Sequence, residues 1–252
     1  MKTLTRLAGL LTVGLVLIAP ARADIAQLFA DGNRQYETKH YDSAIVSYSS
    51  ILDEGQVSAA VYFNLGNAYF RSGDLGRAVL NYMRARRLDP SNDDIQTNLD
   101  FARRFTSIQM EGVKLNPVTS FLESIVAPYH LDLLAWIAAA CFVLFVGMLI
   151  VRYGLNLRGS PVRVGITISL TLLMITSFLT TFKYNTDYLT QHAVILTENS
   201  IVRTGPSELS DKELDAAPGL IVEVLSESGD YYNVLFENKR RGWVRKDLVA
   251  VI

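Results

Sequence analysis

One cysteine, three histidines and two tryptophans are spread over 252 residues, and 24 Lys and Arg nearly cancel 25 Asp and Glu. Each scarcity excludes something. Cys141 alone can form neither an intramolecular disulfide nor a multi-cysteine metal site. His40, His130 and His192 are scattered, with no pair at the i, i+4 spacing that puts two ligands on one helix face. The chain has no basic excess to neutralise a phosphate backbone, which argues against a nucleic-acid partner. The phosphate cradles G-x-x-x-x-G-K-[ST] and G-x-G-x-x-G, the nucleophile elbow G-x-S-x-G and the zinc signature H-E-x-x-H do not occur. Cys141 lies inside an apolar run, and acidic pairs such as Asp93-Asp94 and Asp53-Glu54 suit helix termini better than acid–base work. The expectation is a protein that is not an enzyme and uses no cofactor or metal.

Apolar residues, in contrast, make up half the chain, and mean hydropathy is +0.20. They concentrate in three blocks, residues 7–18, 131–151 and 164–182. The first follows Lys2 and Arg6 and precedes Ala21-Arg22-Ala23, the pattern of a secretory signal peptide over 1–23. Twelve residues of helix reach only about 18 Å, too short for a hydrocarbon core of about 30 Å. The other two blocks are long enough to span, and Asp132 is the one charge in them. Arg152, Arg158 and Arg163 face no acid in the connection 152–163, which places it in the cytoplasm by the positive-inside rule. Residues 24–130 and 183–252 then share the exported side, in agreement with the signal peptide. With no ionisable group deep in either block, the hairpin reads as an anchor in lipid rather than an ion path.

Residues 59–92 carry Tyr62, Leu65 and Tyr69 with small Gly66, Ala78 and Ala85 at helical spacing. Gly73 suits a left-handed helix end, Asp74 a cap for the next helix, and Pro90 keeps Asp89 out of helix. The pattern over these 34 residues resembles a tetratricopeptide repeat. A shift of one period earlier finds Gly32, Tyr36, Ala44 and Tyr48, a weaker copy over 25–58; one later finds Ile95, Leu99, Ala102 and Phe105, a capping helix. Residues 24–111 are thus expected as an all-α repeat domain, with Leu65, Tyr69, Ala78 and Leu88 in its core and 112–130 as a linker or interfacial segment. The resemblance implies a concave groove lined by Asn33, Asn64, Asn67 and Asn98, whose amides hold the backbone of an extended peptide, with Phe63 and Phe70 as aromatic contacts. Phe29 and Asp94 stand where a terminal-carboxylate clamp of that family has basic residues, so such a clamp is not expected.

After Tyr188 the period falls to two, in short β-rich runs broken by Gly205, Gly219, Gly229 and Gly242. The segments 202–207 (VRTGPS) and 242–244 (GWV) make residues 192–252 resemble a bacterial SH3-like barrel. Trp243 and Val244 are expected in its core; Arg203, Tyr231 and Tyr232 are its surface candidates for a protein or peptidoglycan peptide.

The whole order of parts resembles the BatE-type aerotolerance family: signal peptide, tetratricopeptide repeats, two transmembrane helices, small all-β SH3-like barrel. Tyr231, where tryptophan is frequent, is a departure. The resemblance implies a multidomain membrane protein of the bacterial inner membrane with both soluble domains in the periplasm. It further implies a non-enzymatic scaffold that works with von Willebrand factor A-type membrane proteins and a MoxR-type ATPase in envelope stress. Two alternatives remain open at this level: a cell-wall peptide sensor and a periplasmic assembly chaperone.

Overall fold

A computed structural model describes residues 24–107, 117–157, 159–198 and 200–252. The expected signal peptide, Arg158 and part of the 112–130 segment lie outside them.

The described chain starts in α1 (24–37), followed by α2 (Tyr41–Asp53), α3 (Ala59–Ser72), α4 (Leu75–Leu88) and α5 (Asp93–Ser107). The helix ends follow from local chemistry. Ser58 accepts the Val61 N–H at 3.2 Å to start α3, and Gly73 closes it with φ 92°. Asp74 then accepts the Arg77 N–H at 2.9 Å to start α4, and Asn92 accepts from Asp94 and Ile95 ahead of α5.

The two repeats are built on one packing device. Gly32 and Gly66 lie under the rings of Tyr48 and Tyr82, where an added Cβ would fall 2.6 and 2.8 Å from ring carbons. A ring can seat on the helix backbone only because the side chain below is missing. Ala44, Tyr48, Ile51, Val61, Leu65 and Ala68 form the first core cluster, while Ala78, Tyr82, Leu99 and Ala102 belong to the second. Leu88, expected inside, is 43% exposed in the last turn of α4. Phe105, which shares the helical spacing of Ile95, Leu99 and Ala102, is 52% exposed.

A helix that periodicity did not reveal, α6 (Pro117–Val126), packs on α8. Two long apolar helices follow, α7 (Leu131–Leu149) and α8 (Ser160–Tyr184), packed against each other. Each is extended by a π-helical turn, Ile150–Gly154 and Asn185–Leu189, so that the segments Leu131–Gly154 and Ser160–Leu189 are long and apolar enough to cross a membrane. The loop expected over 152–163 is correspondingly shorter. Arginines do not break a helix; Asn156, with φ 54°, marks the break, and Pro161 sits in the first turn of α8, where its missing N–H costs nothing.

The chain ends in a seven-stranded antiparallel sheet: β1 (His192–Ile195), β2 (Ser200–Arg203), β3 (Lys212–Ala216), β4 (Ile221–Ser228), β5 (Tyr231–Phe236), β6 (Arg241–Arg245) and β7 (Val249–Val251). Their spatial order is β3-β2-β6-β5-β4-β1-β7. Ile195, Val202, Val222, Val234, Phe236 and Val244 fill its core.

Sheet and repeat share a boundary. Val79 and Met83 of α4 cluster with Val194, and Leu196, Ile221 and Ala250 pack around them. Gly76 permits this approach, since a Cβ there would lie 2.7 Å from Leu196 Cα. Arg103 of α5 adds an ion pair to Glu237 at 2.5 Å. The face of α4 turned to β1 is thereby covered.

Candidate functional site

Asparagines on α1, α3 and α5 come together because they recur one repeat apart, Asn33 with Asn67 directly after the two glycines and Asn64 with Asn98. Asn33 Oδ1 accepts from Tyr48 Oη at 2.7 Å and from Asn64 Nδ2 at 3.0 Å. One period later, Asn67 Oδ1 accepts from Tyr82 Oη at 2.7 Å and from Asn98 Nδ2 at 2.8 Å. The four expected asparagines thus come together as two pairs, each tied to a buried tyrosine.

Burial keeps both phenols in their protonated form. It pushes the Tyr48 phenol up to about 12, and Tyr82 further in the same direction. Both hydroxyls donate to the asparagine oxygens, which leaves Nδ2 of Asn67 as a donor in the lining of a cavity. The asparagines have a structural share in the repeat as well as a surface to offer.

Asn67 and Asn98 line a cavity of about 160 Å³ together with Phe70 and Phe101. Tyr36, Tyr82 and Arg71 complete it. Phe70 stands 5.6 Å from Phe101 and 5.7 Å from Phe105, ring centre to ring centre, in a three-ring cluster that leaves Phe101 and Phe105 about half exposed. Phe63 instead packs on Tyr82 at 6.0 Å within the core, outside this lining. Phe29 sits edge-on to Tyr48 at 6.0 Å.

Sequence reasoning missed Arg71, although it lies one turn beyond Asn67 on the same helix face. Its guanidinium lies over the Tyr41 ring, 5.5 Å from the centre, and donates to Tyr41 Oη from Nε at 3.2 Å and Nη2 at 3.1 Å. The Tyr41 bond holds the guanidinium pKa above its ordinary value. A fixed cation thus joins the asparagines and aromatic rings of the groove.

The sheet's three candidates do not form one site. Arg203, half-buried, donates from Nη1 to Ser210 O at 2.9 Å and lies opposite Trp243. Tyr232 leans on the core with Lys246 Nζ 5.1 Å over its ring. Tyr231, expected at the surface, is only 7% exposed, and its hydroxyl has no hydrogen-bond partner among the described residues. Alternation along β5 turns it to the other side from Tyr232, beside Arg245, whose guanidinium bridges Glu208 and Asp247. Trp243, expected in the core, is half-buried. Among the described residues no group of three or more His, Cys, Asp or Glu side chains gathers.

The tetratricopeptide repeat family matches residues 59–92, the stretch that forms α3, α4 and the turn after them. No curated protein matches the chain. The chain therefore contains a helical repeat of a class whose members are interaction modules for other proteins, followed by two apolar helices and an antiparallel sheet.

Proposed function

We propose that this protein is a non-enzymatic scaffold, anchored by α7 and α8 in a bacterial inner membrane, whose repeat groove holds a segment of another membrane or periplasmic protein. The observation that carries the reading is the groove itself: amide donors, a fixed cation and half-exposed aromatic rings on the open side of a repeat whose α4 face is already covered by the sheet. A membrane-crossing hairpin with a short, arginine-flanked turn keeps repeat and sheet on one side, the periplasmic one. The sheet, an SH3-like barrel on this reading, stiffens the repeat, and its hidden Tyr231 speaks against an independent ligand site centred there.

The order of parts favours a place in a Bat-type assembly with von Willebrand factor A-type proteins and envelope-stress tolerance. The test is crosslinking in membranes, mild detergent purification and mass spectrometry on the native protein and a Phe101→Ala, Phe105→Ala variant. Both rings are half exposed, so the variant should fold. Recovery of von Willebrand factor A-type proteins that falls in the variant is the expected result. Recovery of wall fragments, or of the same partners at undiminished yield, would refute the groove's role.

A further inference from the structure

We propose that the groove selects acidic segments: an extended stretch in which an Asp or Glu side chain stands near a large apolar one. The carboxylate would lie on Arg71 and the Asn67 amide, and the apolar side chain against Phe70 and Phe101. The inference rests on the groove being a protein-binding site and names the chemistry of what it takes.

Hydrogen-bond accounting is the first support. Asn67 Oδ1 spends its acceptor capacity on Tyr82 Oη and Asn98 Nδ2, so the whole of Asn67 Nδ2 remains to donate. Arg71 commits Nε and Nη2 to Tyr41 and keeps Nη1 free. Even with Asn98 Oδ1 and the Tyr36 hydroxyl counted as acceptors, the polar face of the cavity is richer in donors. An acceptor-only group, the ionised carboxylate, matches it best.

Charge is the second support. Among the described residues Arg71 is the one charged residue lining the cavity, and no carboxylate pairs with it. Its guanidinium is nonetheless held in place by Tyr41 from two nitrogens, so an incoming anion meets an ordered cation and spends less entropy fixing it. A neutral polar segment would leave that cation unmatched. A basic one would be repelled by it.

The third is the adjoining wall. Phe70, Phe101 and Phe105 stand with ring centres 5.3–5.7 Å apart, continuous with the cavity through Phe70 and Phe101. Apolar surface left open beside a cation suits a segment offering both groups within a few residues of each other.

The probe is an array of short Gly/Ser peptides carrying one Glu and one Phe at varied separation, with counterparts in which Glu becomes Gln or Lys, or Phe becomes Ala. The full chain in detergent micelles is applied, and the best peptides are then measured by fluorescence anisotropy. The Glu peptides should bind about fivefold more tightly than their Gln counterparts, and Lys counterparts should be weaker still. Arg71→Gln, at an exposed position that leaves the fold intact, should erase the Glu preference while the Phe preference persists; Arg71→Lys should restore part of it. Equal binding of Glu and Gln peptides, or a preference unchanged in Arg71→Gln, overturns the inference. If peptides bind without charge preference and Phe101→Ala weakens them, the groove reading survives and only the selectivity is wrong. If no peptide binds, both fall.

Discussion

Tyr82→Phe removes one hydroxyl and leaves the packed ring, so it isolates the bond that orients Asn67. The net value of a neutral hydrogen bond is about 1 kcal/mol. Asn67 Oδ1 retains Asn98 as a donor, so no acceptor is orphaned and the expected loss is about that figure. Asn67→Ala is worse. It strands the hydroxyl of Tyr82, a residue 2% exposed, and one Asn98 N–H, at roughly 2–3 kcal/mol. In the double variant the stranded hydroxyl no longer exists, so the combined loss should fall short of the sum by about 1 kcal/mol. Hydrogen exchange of the α3 and α4 amides, measured on the full chain in micelles, reads these losses as local opening energies. Additivity within about 0.3 kcal/mol would mean that phenol and amide do not act together, and the account of donors facing the groove would fail.

Gly76→Val should push the sheet off α4, because even a Cβ would lie 2.7 Å from Leu196 Cα; a loss of about 1–3 kcal/mol and new protease sensitivity after residue 189 are expected, and unchanged proteolysis would show that the contact is dispensable. Alkaline pH should destabilise the repeat. The Tyr48 phenol is raised to about 12, so its contribution is complete below its unfolded value near 10 and is lost as pH climbs from there toward 12. The midpoint of thermal unfolding should fall over that window in the wild type and less in Tyr48→Phe. At the acid end, burial depresses His192, so its contribution is present above its unfolded value near 6.5 and declines as pH falls through the lower folded value. His192→Gln should flatten the thermal midpoint below pH 6.5 or so, and an equal slope in wild type and variant would exclude this histidine.

The repeat was legible because its period carries geometry. Gly, then Asn, then Tyr recur one repeat apart, and a glycine under a ring is a short-range steric fact that the order of residues expresses directly. The two long helices were legible for a similar reason: an apolar run of that length leaves its backbone no satisfied alternative to helix outside water. Their ends were less so, since arginines at 152 and 163 change polarity without stopping a helix. The short amphipathic α6 had too little periodicity to read.

By itself, then, the order of residues determined the repeat register, the positions of the apolar helices and the change to a two-residue period after Tyr188, all set by near neighbours in the chain. Only the tertiary structure decided what depends on distant ones. Tyr48 and Tyr82 reach across to fix which way the asparagine amides face, and Tyr41 fixes Arg71 beside them. Tyr231 is buried where β5 pairs with β6, and Gly76 lets β1 close on α4. Amide orientation, burial and docking are properties of a side chain's spatial neighbours, and those are set only when the chain has folded.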